Sequence, residues 1–150
     1  MGNLILNEDE KDFLREFMNV AYGSATATVA EMLDAYATLS IPKIDVKTNE
    51  ELKKHLQGYE EDSYFFSTQP FLGEFSGEIA FFINSESSKN LAKHLELEDE
   101  DEIADAIMEL TNVMSSTLVS KLCEQMESEV TFSHPSIQKL NLSALKIMKY

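Results

Sequence analysis

Shifting the sequence by 93 places lays Asp12 to Pro42 over Asp105 to Pro135 without a gap, and eight of the 31 positions are then identical. Chance gives roughly two identities at ordinary residue frequencies. The chain therefore reads as a duplicated helix-then-strand unit, and its fold must accommodate two related halves. The identities are Asp12 with Asp105, Glu16 with Glu109, Asn19 with Asn112, Val20 with Val113, Glu31 with Glu124, Thr38 with Thr131, Ser40 with Ser133 and Pro42 with Pro135. Apolar positions agree as well: Leu14 faces Ile107, Phe17 faces Leu110, Val29 faces Leu122 and Leu33 faces Met126, so both helices are expected to bury the same stripe.

Local signals place these units. Asn7 followed by Glu10 forms a capping box, and Phe13, Leu14, Phe17, Val20 and Ala21 recur at helical spacing, so a first long helix is expected from about Glu8 to Tyr36, before Pro42. Ser40 to Lys47 alternates like a short strand, and Asn49 to Leu56 fits a brief helix ended by Gly58. Tyr64 to Phe71 and Phe75 to Ile83 read as an antiparallel hairpin connected by Leu72-Gly73-Glu74, with Gly77 marking a bulge. Asn84 or Ser85 caps a helix through Leu95, and the acidic run Glu96 to Glu102 leads into a second long helix ending near Glu127. Acidic residues favour a helix N-terminus, where the partial charge is positive. Val130 to Ile137 reads as a further strand, followed by the mixed segment Gln138 to Tyr150.

A length of 150 residues with 43% hydrophobic content suits one domain, 1–150, with a substantial core. Asp and Glu outnumber Lys and Arg by 27 to 12, and the resulting field repels phosphate backbones and anionic headgroups, which excludes nucleic acid and membrane as expected partners. The one cysteine, Cys123, aligns with Ala30 and reads as a small buried residue, which together with the absence of a signal-peptide pattern gives a cytoplasmic expectation. His55, His94 and His134 lack metal-ligand spacing, and the five glycines form no phosphate-cradling loop. No metal or nucleotide site is expected.

The candidate chemistry lies in the repeated pair, Glu16 with Asn19 and Glu109 with Asn112. Residues three apart on a helix project from one face, here the polar one. One turn beyond each asparagine stands a small residue, Gly23 or Ser116, which lets another molecule approach the carboxamide. A glycine within a helix costs roughly 0.5–1 kcal/mol relative to alanine, so Gly23 is expected to serve that approach. One Glu-x-x-Asn is usually ordinary helix surface; two copies in register, each followed by Thr-x-Ser-x-Pro, favour a site.

The ordered set Glu16-Phe-Met-Asn19-Val-Ala-Tyr-Gly23-Ser-Ala-Thr-Ala, Ile41-Pro42, Gly73-Glu-Phe-Ser-Gly77 and Glu109-Leu-Thr-Asn112 resembles the CheC, CheX and FliY phosphatases of bacterial chemotaxis, over most of residues 8–137. That resemblance implies an α/β (α+β) fold with two long helices packed across a largely antiparallel sheet in a pseudo-twofold arrangement. Because 15 residues follow Pro135, the second half of the sheet is expected to be curtailed. An exposed edge of that kind invites a second chain, hence the hypothesis of a homodimer. The resemblance further implies a phosphorylated CheY-like receiver as substrate, with Glu16 and Glu109 anchoring it and Asn19 and Asn112 positioning the attacking water. It implies no cofactor of the chain's own, with Mg²⁺ carried by the receiver. A non-catalytic adaptor that binds a receiver or a CheD-like deamidase is the alternative that the same motifs allow.

Overall fold

The computed structural model describes residues 6–34, 45–57 and 63–141. Helix α1 (Glu8–Met32) is followed by α2 (Asn49–Gln57), strands β1 (Ser63–Gly73) and β2 (Gly77–Asn84), helices α3 (Ser85–His94) and α4 (Glu100–Met126), and strands β3 (Val130–Phe132) and β4 (Ser136–Asn141). This is a mixed helix and antiparallel sheet architecture, as expected.

Both long helices start the same way. Asn7 accepts from the Glu10 amide while Glu10 accepts from the Asn7 amide, each at 2.9 Å, and Asp99 forms the same reciprocal pair with Glu102. Such caps satisfy amides that a helix start leaves unpaired, and each is worth about 0.5–2 kcal/mol. The first helix ends earlier than Tyr36: Leu33 is its C-cap and Asp34 turns left-handed at φ 47°, a conformation that the short polar side chain of Asp tolerates. His94, at the end of α3, donates to the Leu33 carbonyl at 2.6 Å and satisfies an acceptor of that terminus. The expected strand from Ser40 to Lys47, the repeat identities at Thr38, Ser40 and Pro42, and the stop at Gly58 lie wholly or largely outside the described residues.

All other strands pair with β1. On one side, β2 runs antiparallel in unbroken register from Tyr64 opposite Asn84 to Phe71 opposite Gly77. The connection is therefore Glu74-Phe75-Ser76, displaced from Leu72-Gly73-Glu74, and Gly77 opens β2 without a bulge. A Cβ at Gly77 meets the Phe71 ring at 2.8 Å, which is why glycine stands there. On the other side the expected single strand is two: β3 pairs with Phe71–Gly73 and β4 with Ser63–Thr68. Gly73 lets β3 approach, since a Cβ would collide with the Glu129 carbonyl and lie 2.9 Å from Val130 Cα.

Helix α4 lies on the sheet and α1 packs against α4. Ala21, Ala25 and Leu118 form the buried centre, with Met18, Tyr22 and Phe81 packed on it. The expected stripe is only partly buried: Ile107 is inaccessible, whereas Leu14, Phe17, Val29 and Leu33 are half-buried and Met126 is 57% exposed. Ala21 and Ala25 allow α1 close to α4, so the contact falls between these small side chains and Leu118 rather than along the whole expected stripe. Cys123 is buried, as a core residue should be.

Replacing Gly73 by alanine should lower stability by about 1–3 kcal/mol through overpacking against β3. Urea unfolding should show a reduced midpoint at constant slope, while Ser76→Ala in the adjacent exposed turn should change stability by less than about 0.5 kcal/mol.

Candidate functional site

A proline in a paired strand leaves a gap in the ladder, and β1 has one at Pro70. The Ser133 amide donates to the Pro70 carbonyl at 2.9 Å, but Pro70 has no N–H to return the bond. The Gln69 side chain supplies the donor, with Nε2 at 3.0 Å from the Ser133 carbonyl. Past this point the register shifts by one: Phe71 faces Phe132, whereas Thr68 faces Ser136, so Ser133-His134-Pro135 bulges away from Gln69-Pro70.

The Gln69 amide has a second hydrogen, which it donates to Asn112 Oδ1 at 2.8 Å. Gln69 is 1% exposed, whereas Asn112 is exposed. This fixes the orientation of both amides. A backbone carbonyl only accepts, so the Gln69 atom beside Ser133 must be nitrogen, and the Asn112 atom facing that nitrogen must be oxygen. Asn112 thus turns its carbonyl inward and leaves its Nδ2–H donors for solvent. Nearby, the Thr111 hydroxyl lies 2.8 Å from both the Ser67 hydroxyl and the Ile107 carbonyl, and Ser67 donates to the Ser136 carbonyl at 3.2 Å. The seam between α4 and β1 is therefore polar where it supports Asn112.

Above that seam an open cleft of about 500 Å³ runs between α4 and the bulge. Asp105, Met108, Glu109 and Asn112 form one wall, at the spacing that puts side chains on one helical face. Phe132, Ser133, His134 and Pro135 form the other, with Gln69 as floor. The charged side chains of this lining are Asp105 and Glu109, both exposed carboxylates. The cleft is thus matched to a cationic visitor, with an amide donor at its inner end.

The first copy differs. Asn19 is half-buried, and its Oδ1 is buried with no partner among the described residues. Arg15 stands where Met108 stands in the second copy and pairs with Asp12 at 2.7 Å, which reduces the local negative charge. Glu16 is exposed, flanked by Phe13 and Val20 at 69% and 67% exposure. Gly23 is half-buried. Ser116 turns its hydroxyl back to the helix, 2.6 Å from the Asn112 backbone carbonyl, and it is not part of the cleft lining. Glu16 and Asn19 are not joined with Glu109 and Asn112 in the cleft.

No family model and no curated protein sequence matches this chain. Among solved structures, the crystal structure of Thermotoga maritima FliY matches it with a TM-score of 0.78, over 94% of this chain and 73% of that one, at 18% identity. The chain has the FliY fold. Within the FliY fold as this chain builds it, the second Glu–Asn pair sits over the interruption of the central strand. No described helix is long and apolar enough to cross a membrane, and no described cluster of His, Cys, Asp and Glu is suited to a metal.

Gln69 is the site residue that motif reading passes over. Its signal is a glutamine at an inward position of β1, after Phe65 and Ser67, immediately before a proline. Both Gln69 side-chain protons are bonded and buried, so their exchange with deuterium should be slow compared with those of Asn112. Side-chain amide NMR in D₂O should show the Gln69 pair outlasting the Asn112 pair, and equal rates would contradict this geometry.

Proposed function

We propose that the chain is a CheC-like phosphatase that hydrolyses the aspartyl phosphate of a CheY-type receiver, with the second copy, Glu109 and Asn112, as the stronger site. The observation that carries this reading is the exposed Asn112 carboxamide, fixed by a buried glutamine beside a glutamate in an open acidic cleft. The FliY fold and the resemblance of the ordered motifs support it.

The chemistry asks little of such an enzyme. An aspartyl phosphate is already reactive, and the receiver brings its own Mg²⁺ and lysine, so what remains is to place a water in line with the phosphorus–oxygen bond. A hundredfold acceleration corresponds to about 2.7 kcal/mol. Asn112 can hold a water without changing its own ionisation, through the Nδ2–H donors that face the cleft while its side-chain carbonyl is held by Gln69. Glu109, one turn away, pairs with the receiver's lysine and sets the approach. Asp105 adds to the field that attracts it. A free phosphate would be repelled by the same carboxylates, so the substrate is a phosphate shielded by a partner's cations.

The first copy supports a second reading, that of a non-catalytic adaptor. Asn19 Oδ1 points into the protein, and the exposed Phe13 and Val20 beside Glu16 give that copy more character of a docking surface.

Measuring the phosphate lifetime of a CheY-type receiver separates the two. Wild-type protein should shorten the lifetime, Asn112→Ala should remove most of the effect, and Asn19→Ala should remove less. The double variant should lose about ten- to hundredfold in rate. A lifetime that wild-type protein leaves unchanged while still binding the receiver would favour the adaptor.

A further inference from the structure

We propose that Gln69 is a positioning residue of the second site, holding the Asn112 carboxamide in the one orientation that turns its Nδ2–H donors toward the cleft. This rests on the phosphatase reading of that site and adds to it a residue outside the Glu–Asn motif.

An asparagine on a helix surface rotates freely about its terminal torsion, which is broad and roughly two-fold. Placing a water with such a group requires that one of its two faces be selected. Here the selection begins in the backbone. Pro70 lacks an N–H, so the Ser133 carbonyl takes its donor from Gln69 Nε2 at 3.0 Å. That bond fixes the Gln69 amide, and its second hydrogen then reaches Asn112 Oδ1 at 2.8 Å. Gln69 is 1% exposed, so its donors are shielded from water although both acceptors belong to exposed residues. Its own Oε1 is buried and has no protein partner among the described residues. A buried unpaired acceptor is unfavourable, yet the amide stands there with both of its donors in use. Bonding the Ser133 carbonyl takes one of those donors, and the other is directed at Asn112, as expected if it serves the site. In the first copy, Asn19 Oδ1 has no such donor among the described residues.

The test is a double-mutant cycle on the full chain, made in an Asn19→Ala background so that only the second copy is read. Gln69→Leu and Gln69→Met remove the donors at similar volume. Each should slow dephosphorylation at saturating receiver by about tenfold or more, with receiver affinity changed less than twofold, because Glu109 is untouched. With Asn112→Ala already present, Gln69→Leu should slow it no further, since the amide then has nothing to position. Equal slowing with and without Asn112 would assign Gln69 a structural role and overturn the proposal, as would an unchanged rate in a folded Gln69 variant. A failure of Asn112→Ala to affect the lifetime would instead overturn the phosphatase reading. In that case side-chain amide NMR decides the clamp alone: the Asn112 pair should merge or broaden in Gln69→Leu, and an unaltered pair would overturn it.

Discussion

Three strands depend on one, and that one contains a proline. Strand β1 pairs with β2 along one side and with both β3 and β4 along the other, so its defects propagate across the sheet. Pro70 withholds the donor that an antiparallel neighbour needs at Ser133, and the returning chain breaks into β3 and β4 at that point. The break would leave the Ser133 carbonyl without its ladder partner were it not for the preceding residue. Gln69 fills the place of the missing N–H and extends the same amide to α4. A local failure of sheet pairing thus becomes a rigid link between the sheet and the helix that carries Glu109 and Asn112.

The two copies of the motif have diverged through their surroundings more than through their own residues. In the second, α4 lies directly on the sheet, and buried Thr111, Ser67 and Gln69 stand beneath Asn112. In the first, α1 rests on α4, and its inaccessible residues are Ala21 and Ala25. An alanine contact brings helices close but offers no hydrogen bonds, so among the described residues nothing comparable to the Gln69 amide reaches Asn19. The Arg15 and Met108 difference acts in the same direction by neutralising one carboxylate of the first copy. Equal motifs therefore do not imply equal sites.

Much of this was legible in the residues. The helix start at Asn7, the two long helices, the hairpin and the Glu–Asn pairs follow from capping chemistry, periodicity and internal repetition, all of which are local. What was not legible depends on contacts distant in sequence. The early end of α1 is set at Asp34, where no proline or glycine announces it. Gly77 looked like a bulge because a strand glycine often is, yet it makes room for the Phe71 ring across the hairpin. Val130 to Ile137 looked continuous because its division is dictated by Pro70, more than 60 residues earlier. The role of Gln69 escaped for the same reason: its two partners, Asn112 and Ser133, are 43 and 64 residues away.

The acidity of the chain and the openness of the cleft are connected. A phosphatase acting on small phosphate esters must collect an anion from water, and it uses cations or backbone amides to do so. This cleft is walled by Asp105 and Glu109, and the whole chain carries a formal charge of −15. Such a surface repels bare anions, and under the proposed function it would favour a partner whose own lysine and metal outweigh the phosphate they hold. An open cleft suits that partner, because the group to be reached protrudes from another folded surface and must be met rather than enclosed. On the proposed function, burial is needed only beneath the amide that would position water, and Gln69, directly beneath Asn112, is the buried residue there.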